Sequence, residues 1–339
     1  MATAPAGTTL VRRGPPDPHR PDPSRPARPR GVRRSAGRAA DAPVDLKRII
    51  LLPTLVTLAN AFCGVLALSK AFDALTYSGE DPGVFYRKME VACSLVFLGM
   101  VFDTLDGWVA RLTRGFSSFG AQLDSFADAL TFGVVPAMLA KVLFEHEAEV
   151  CGYVANPRIG FLAAAAFTLM AILRLVRFNL EDTQPEPEKR DKGSFRGLPS
   201  PGAAGAVAST IWIYLILRRP DLEIEDGTRT PFSHVIGFLN GFTNTIEPLL
   251  DHLPWLLTLG LPILGLLMVS NVRYIHGTRF LMHARSNFFT LVWLVFAVFL
   301  LFLAPVPVLF LFFNGFAVLG VLGPLLMRRR ENGERGAQA

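Results

Sequence analysis

From residue 49 onward the chain alternates apolar runs of similar length with short polar breaks. A helix needs about 20 predominantly apolar residues to cross the hydrocarbon core of a bilayer. Eight stretches approach that length, at 49–72, 88–112, 120–144, 158–179, 199–217, 254–271, 287–304 and 306–327. The pattern therefore predicts an all-α integral membrane protein with about eight transmembrane helices. Pro53, Pro136, Pro199 and Pro201 open or interrupt spans, which membrane helices tolerate where neighbours satisfy the freed carbonyls. No pair of corresponding halves with broken hydrophobic segments stands out, which argues against a transporter built from repeats.

Composition sharpens this reading. The chain is 51% hydrophobic and 18% charged, against about 25% charged in soluble domains. Cys63, Cys93 and Cys151 are too few and too scattered for a disulfide scaffold. The formal charge of +6 is concentrated at one end, where residues 1–48 hold eleven Lys or Arg against four Asp. Residues 1–45, rich in Arg and Pro and poor in large apolar side chains, predict a disordered basic tail. It lacks the apolar core of a signal peptide and any aromatic or glycine-rich interleaving, so no nucleic-acid partner is expected. Weak attraction to anionic lipid headgroups is.

Lys and Arg beside the spans set orientation. Arg114, Lys189, Arg190, Lys192, Arg196, Arg273, Arg279 and Arg285 fall in connections on the same side as the basic tail. Met327 is followed by three arginines on that side too, so both termini are expected in the cytoplasm, with a bacterial-type inner membrane as the setting. The connection 145–157, with Glu145, Glu147 and Glu149, falls on the opposite side. Arg218 and Arg219 run against the bias. They head the longest connection, 219–253, whose segment Val235–Leu239 has the pattern of a short interfacial helix.

Spans two and three hold Asp103, Asp106, Asp124 and Asp128. One aspartate near the bilayer centre costs about 2.5–3.5 kcal/mol, so four facing lipid would cost roughly 10 kcal/mol or more. They must face a cation, a partner or water. Residues three or four apart share a helical face, which pairs Asp103 with Asp106 and Asp124 with Asp128. Carboxylates so gathered call for divalent cations, and an all-oxygen set suits Mg²⁺, Mn²⁺ or Ca²⁺ better than Zn²⁺. The histidines, including His146 and His252, fall in the tail or in connections without ligand spacing, so no metal role is expected of them. Gly107, Ala110 and Gly120 keep the same faces low, and Arg111 ends the second as a phosphate-binding guanidinium would. Acids, a gap and a base in succession suit a pyrophosphate clamped through metals.

The stretch Asp103-x2-Asp106-Gly107-x2-Ala110-Arg111-x8-Gly120-x3-Asp124-x3-Asp128 resembles the signature of the CDP-alcohol phosphatidyltransferases, matching every fixed position. The segments 52–64, 120–133, 174–179, 196–205 and 267–274 narrow the resemblance to the branch that makes phosphatidylserine, over about residues 49–280. The resemblance implies a membrane transferase with Asp103, Asp106, Asp124 and Asp128 as ligands of Mg²⁺ or Mn²⁺, two ions in all, and Asp128 also as general base. It implies contacts to CDP-diacylglycerol from Gly107, Ala110, Arg111, Ser117 and Gly120, with Asn60 and Thr57 of the first span within reach of the cytidine. Arg174, Arg177, Asn179 and Arg196 would bind the acceptor carboxylate or lipid phosphate. From spacing alone, snorkelling of the two arginines to the headgroups and a Thr57 bond to its own backbone stay open.

The expected organisation is a tail at 1–45, a catalytic membrane core at 46–217, an extracytoplasmic loop at 218–253, C-terminal spans at 254–330 and a tail at 331–339. The expected reaction joins CDP-diacylglycerol to L-serine at a cytoplasm-facing site. Membrane lipids are the surroundings, and the family resemblance implies a homodimer. Glycerol 3-phosphate or inositol as acceptor remains an alternative, and a divalent-cation transporter a more distant one.

Overall fold

The computed structural model describes residues 51–77, 82–113, 118–152, 156–182, 194–218, 243–275 and 287–337. The basic tail, Ser117 and the Val235–Leu239 segment lie outside the described residues. The helices are α1 (Leu51–Tyr77), α2 (Pro82–Thr113), α3 (Ser118–Asp128), α4 (Val135–Cys151), α5 (Pro157–Asp182), α6 (Ser200–Arg218), α7 (Thr243–Val269), α8 (Asn287–Leu303) and α9 (Pro305–Ala337). A six-residue π-turn, Ala129–Val134, joins α3 to α4 without a break, making one span of 118–151. Among the described residues, seven helical segments are long and apolar enough to cross a membrane, and Leu291–Leu303 adds a shorter apolar one. All eight coincide with the runs read from the sequence, and the protein is an integral membrane protein.

Small side chains let the helices approach closely where lipid gives no hydrophobic drive to pack. Ala67, Ala71 and Ala74 of α1 join Ala92, Cys93 and Val96 of α2 in the core. In α6, Gly202 meets Phe316, and a side chain on Gly205 would collide with Phe313, so α9 lies along a face of α6 stripped to small residues. Asn314 of α9 donates to Thr210 Oγ1 at 3.2 Å and to the Phe310 carbonyl at 3.1 Å, tying that seam in its apolar surroundings. Outward positions such as Phe62, Phe161, Leu162 and Phe302 are exposed apolar groups, as a lipid-facing surface requires.

The acidic connection expected at 145–157 is corrected by α4, which continues to Cys151. Glu147 is fully buried, accepting from the Tyr86 hydroxyl at 2.8 Å and lying 3.6 Å from Arg218 Nε. Arg218 also pairs with Asp251 at 2.9 Å, which accounts for its breach of the charge bias: it is held by acids inside the protein. His146 sits not in a connection but in α4, buried and stacked on Phe85 with ring centroids 3.5 Å apart.

Two other boundaries move. The connection expected to last until residue 253 ends at Thr243, because α7 absorbs Pro248, Pro254 and Pro262. The Thr258 hydroxyl donates to the Pro254 carbonyl at 2.8 Å there, one way a membrane helix re-satisfies groups near a proline. At the C terminus, α9 carries the backbone as helix to Ala337 through the segment expected as a tail.

A small antiparallel ribbon closes one end of the bundle. β1 (Ser194–Arg196) pairs with β2 (Arg273–Ile275), Phe195 opposite Tyr274. Gly197 follows with φ 82°, and a Cβ there would strike the Met268 carbonyl, so the turn into α6 admits only glycine.

Candidate active site

Two helical turns and one neighbouring helix build the acidic site. Asp103 and Asp106 lie near the end of α2, and Asp124 and Asp128 lie on α3, the two helices being joined by only a few residues. One oxygen from each of Asp103, Asp106 and Asp124 falls within 4.8 Å of the others. Asp128 is within hydrogen-bonding reach of Asp103. Asp106 is buried and the other three are half-buried.

α1 forms the third wall. The Thr57 hydroxyl donates to Asp106 Oδ2 at 2.6 Å, with the Pro53 carbonyl farther off at 3.1 Å. The Asn60 amide donates to Asp128 Oδ1 at 3.3 Å. Both side chains are buried. They sit on one face because they are three residues apart in a helix.

This arrangement repels itself. Carboxylates a few ångströms apart in a low-dielectric interior interact far more strongly than in water, and no Lys or Arg side chain is recorded within salt-bridge distance of these four among the described residues. Asp124 Oδ1 and Asn60 Oδ1 are buried with no hydrogen-bond partner, although buried acceptors are nearly always satisfied. A hard divalent cation meets both needs: it takes oxygen ligands only and neutralises their charge. The residues present fit such an ion.

The remaining candidate residues divide into groups. Gly107 faces open space, with nothing within 4 Å of where a Cβ would stand. Ala110 follows half-buried and Arg111 exposed, leaving a low face beside the carboxylates; Gly120 is half-buried near the start of α3. Asn179 of α5 donates to Ser125 Oγ at 2.9 Å, joining α5 to α3 beside Asp124. Arg174 donates to the Leu198 carbonyl at 2.6 Å and to Ser200 Oγ at 3.4 Å. Arg177 donates to the Val269 carbonyl at 3.2 Å and to Asn271 Oδ1 at 2.9 Å. These bonds tie α5 to the start of α6 and the end of α7, where a cation complements the helix C-terminus. Arg196 enters through its backbone, opposite Arg273 in the ribbon.

Thr57 and Asn60, expected as contacts of the CDP-lipid, stand at the site, where their side chains hydrogen-bond to Asp106 and Asp128. Sequence reasoning did not single out Thr131, whose hydroxyl donates to the Asn60 carbonyl at 3.2 Å. The signal for Thr131 was faint: two glycines, Gly64 of α1 and Gly99 of α2, both of which abut it.

Comparison with known proteins decides the family. Residues 50–242 match the family model of CDP-alcohol phosphatidyltransferase. The chain belongs to the CDP-alcohol phosphatidyltransferase family. Within that family it is 28% identical to a Helicobacter pylori protein named CDP-diacylglycerol–serine O-phosphatidyltransferase, over 82% of this chain and 93% of the relative. A Bacillus subtilis protein of the same name is 32% identical over 45% of this chain and 70% of its own length. An archaetidylserine synthase of Methanothermobacter thermautotrophicus is 33% identical over 47% of this chain and 57% of its own. The family match contains the whole acidic site.

Proposed function

We propose that this chain transfers the phosphatidyl group of CDP-diacylglycerol to the hydroxyl of L-serine, releasing CMP and forming phosphatidylserine. The observation that carries the reading is the convergence of the signature aspartates on one pocket, with one oxygen each of Asp103, Asp106 and Asp124 inside 4.8 Å. The names of the relatives in bacteria and archaea support serine as acceptor.

Asp103, Asp106, Asp124 and Asp128 would hold two Mg²⁺ or Mn²⁺ ions. Bound there, the ions supply charge neutralisation for the pyrophosphate and for the departing CMP. The chain's own residues do the rest. The open face at Gly107 and Ala110 admits the pyrophosphate, and Arg111 offers it a guanidinium from the rim. Asp128 accepts the proton of the serine hydroxyl as that oxygen bonds the β-phosphorus. The bond from the β-phosphorus to the bridging oxygen breaks, and CMP leaves with that oxygen. Asn60 keeps the Asp128 carboxylate aimed, and Thr57 does so for Asp106. Arg174, Arg177, Asn179 and Arg196 stand at the end of α5 and the ribbon, on the side from which a soluble acceptor would arrive.

The basic connections support an active site and both termini on the cytoplasmic side of a cell membrane, where serine and CTP-derived lipid are made. The family resemblance supports a homodimer.

The test is an acceptor panel. Purified protein with CDP-diacylglycerol and Mn²⁺ should release CMP when given serine and not when given glycerol 3-phosphate or inositol. CMP with either of the latter alone would reassign the acceptor, and CMP with none of the three would overturn the reading. Asp128→Asn should lower turnover by about 10²–10⁴-fold, the usual contribution of a general base; wild-type turnover would remove that assignment.

A further inference from the structure

The span that carries Asp124 and Asp128 changes its winding immediately after Asp128. Residues Ala129–Val134 form a π-turn, in which the Val135 N–H bonds back five residues to the Leu130 carbonyl. Such turns are rare, cost stability, and recur at functional sites. Pro136 gives a local reason for it. Proline brings no N–H to pair with the carbonyl four residues back, and its ring crowds that carbonyl; widening the turn relieves both. The extra residue also resets the facing of α3 relative to α4, so the direction in which Asp128 points depends on how the turn is held.

Two threonines hold it: the Thr168 hydroxyl of α5 donates to the Gly133 carbonyl within the turn at 3.2 Å, and Thr131 ties the turn to α1. Its hydroxyl donates to the backbone carbonyl of Asn60 in α1 at 3.2 Å, while the side chain of the same Asn60 donates to Asp128 at 3.3 Å. One residue of α1 thus grips the other span at two points three residues apart, its carbonyl taking Thr131 and its amide holding Asp128. The neighbours are cut to fit. A methyl on Gly64 would lie 2.6 Å from Thr131 Oγ1, and one on Gly99 of α2 would lie 2.8 Å from Thr131 Cγ2 and 3.0 Å from Asn60 Oδ1. Thr131 is completely buried. A threonine in a membrane helix usually spends its hydroxyl on its own helix. This one reaches across to another.

We propose that Thr131 is a positioning residue for the proton-accepting carboxylate: through Asn60 it locks the π-turn against α1 and so fixes Asp128 toward the acceptor. The inference rests on Asp128 acting as base. It predicts a loss in kcat larger than any change in KM, because Asp103, Asp106 and Asp124 form their pocket without Thr131.

The test compares Thr131→Val, which keeps the branched shape and removes the hydroxyl, with Thr131→Ser, which keeps the hydroxyl. Steady-state kinetics with CDP-diacylglycerol and serine are read beside Mn²⁺ binding followed by electron paramagnetic resonance. Thr131→Val should lower kcat at least tenfold with both KM values within threefold of wild type at saturating Mn²⁺, and, because Asp128 is also a ligand in this reading, should weaken Mn²⁺ binding by about tenfold. Thr131→Ser should restore most of the lost kcat. Gly64→Ala, which crowds the hydroxyl from the α1 side, should reproduce the kcat loss if Thr131→Val proves too unstable to purify. Undiminished kcat in Thr131→Val, or equal losses in Val and Ser, would overturn the role. Asp128→Asn, measured in parallel, keeps the two assignments apart. If it is inactive while Thr131→Val is wild-type-like, only the positioning role fails. If it is fully active, the base assignment fails, and the role of Thr131 with it.

Discussion

Single residues at this site do unequal work, and the difference lies in what each one touches. Four aspartates supply charge, and two neutral side chains on α1 aim it. Thr57 holds Asp106 with a 2.6 Å bond, the length usual for a hydroxyl donating to a carboxylate. Groups that orient metal ligands commonly change metal affinity 10–100-fold when removed. Thr57→Val should accordingly weaken Mn²⁺ binding by about tenfold or more, measured by calorimetric titration of the purified protein. Unchanged Mn²⁺ affinity would mean that Asp106 needs no help in facing the pocket. The aspartates were legible in the sequence because ionised groups in apolar helices have no cheap bland explanation. Thr57 was visible only as a polar group with two possible acceptors, and both are near it in the structure. Thr131 was hidden, since a threonine in an apolar run reads as ordinary helix content until its partner on another helix is known.

Helices and turns show where hydrophobic pattern is informative and where it fails. All eight apolar runs became helices, because run length against bilayer thickness is a strong constraint. Their ends were less readable. Glu147 looked like a connection residue because it is charged, yet it is buried with Tyr86, Arg218 and neighbouring Cys151 around it. The π-turn and the three-residue strands carry no periodic signal of their own. Buried ion pairs make a testable statement at this scale: removing one partner leaves the other charge uncompensated, at a cost of about 3–5 kcal/mol, whereas replacing both with matched neutral groups is often nearly neutral. Arg218→Met should therefore lower the thermal unfolding temperature in detergent markedly, and adding Glu147→Gln should recover most of the loss. A double variant no more stable than Arg218→Met would show that Arg218 holds α6 by its bond to Asp251 instead.

Across the whole molecule, the functional apparatus occupies one end of one set of helices. α1, α2 and α3 carry the carboxylates and their supports. α5 is laced to the start of α6 and the end of α7 by Arg174 and Arg177, and α9 seals the small-residue face of α6. Arg174 and Arg177 make these bonds to backbone and side-chain oxygens, contacts that the spacing of the two arginines alone did not foretell. The central claim is that the acidic pocket transfers a phosphatidyl group to serine with the aid of divalent ions. Its most direct test is the transfer of isotope-labelled serine into lipid by the purified protein in mixed micelles with CDP-diacylglycerol and Mn²⁺. The account predicts label in phosphatidylserine equal to the CMP released, abolished by EDTA and by Asp103→Asn. Label that persists undiminished in Asp103→Asn or in EDTA, or no labelled lipid from the wild-type protein with any divalent ion, would contradict it.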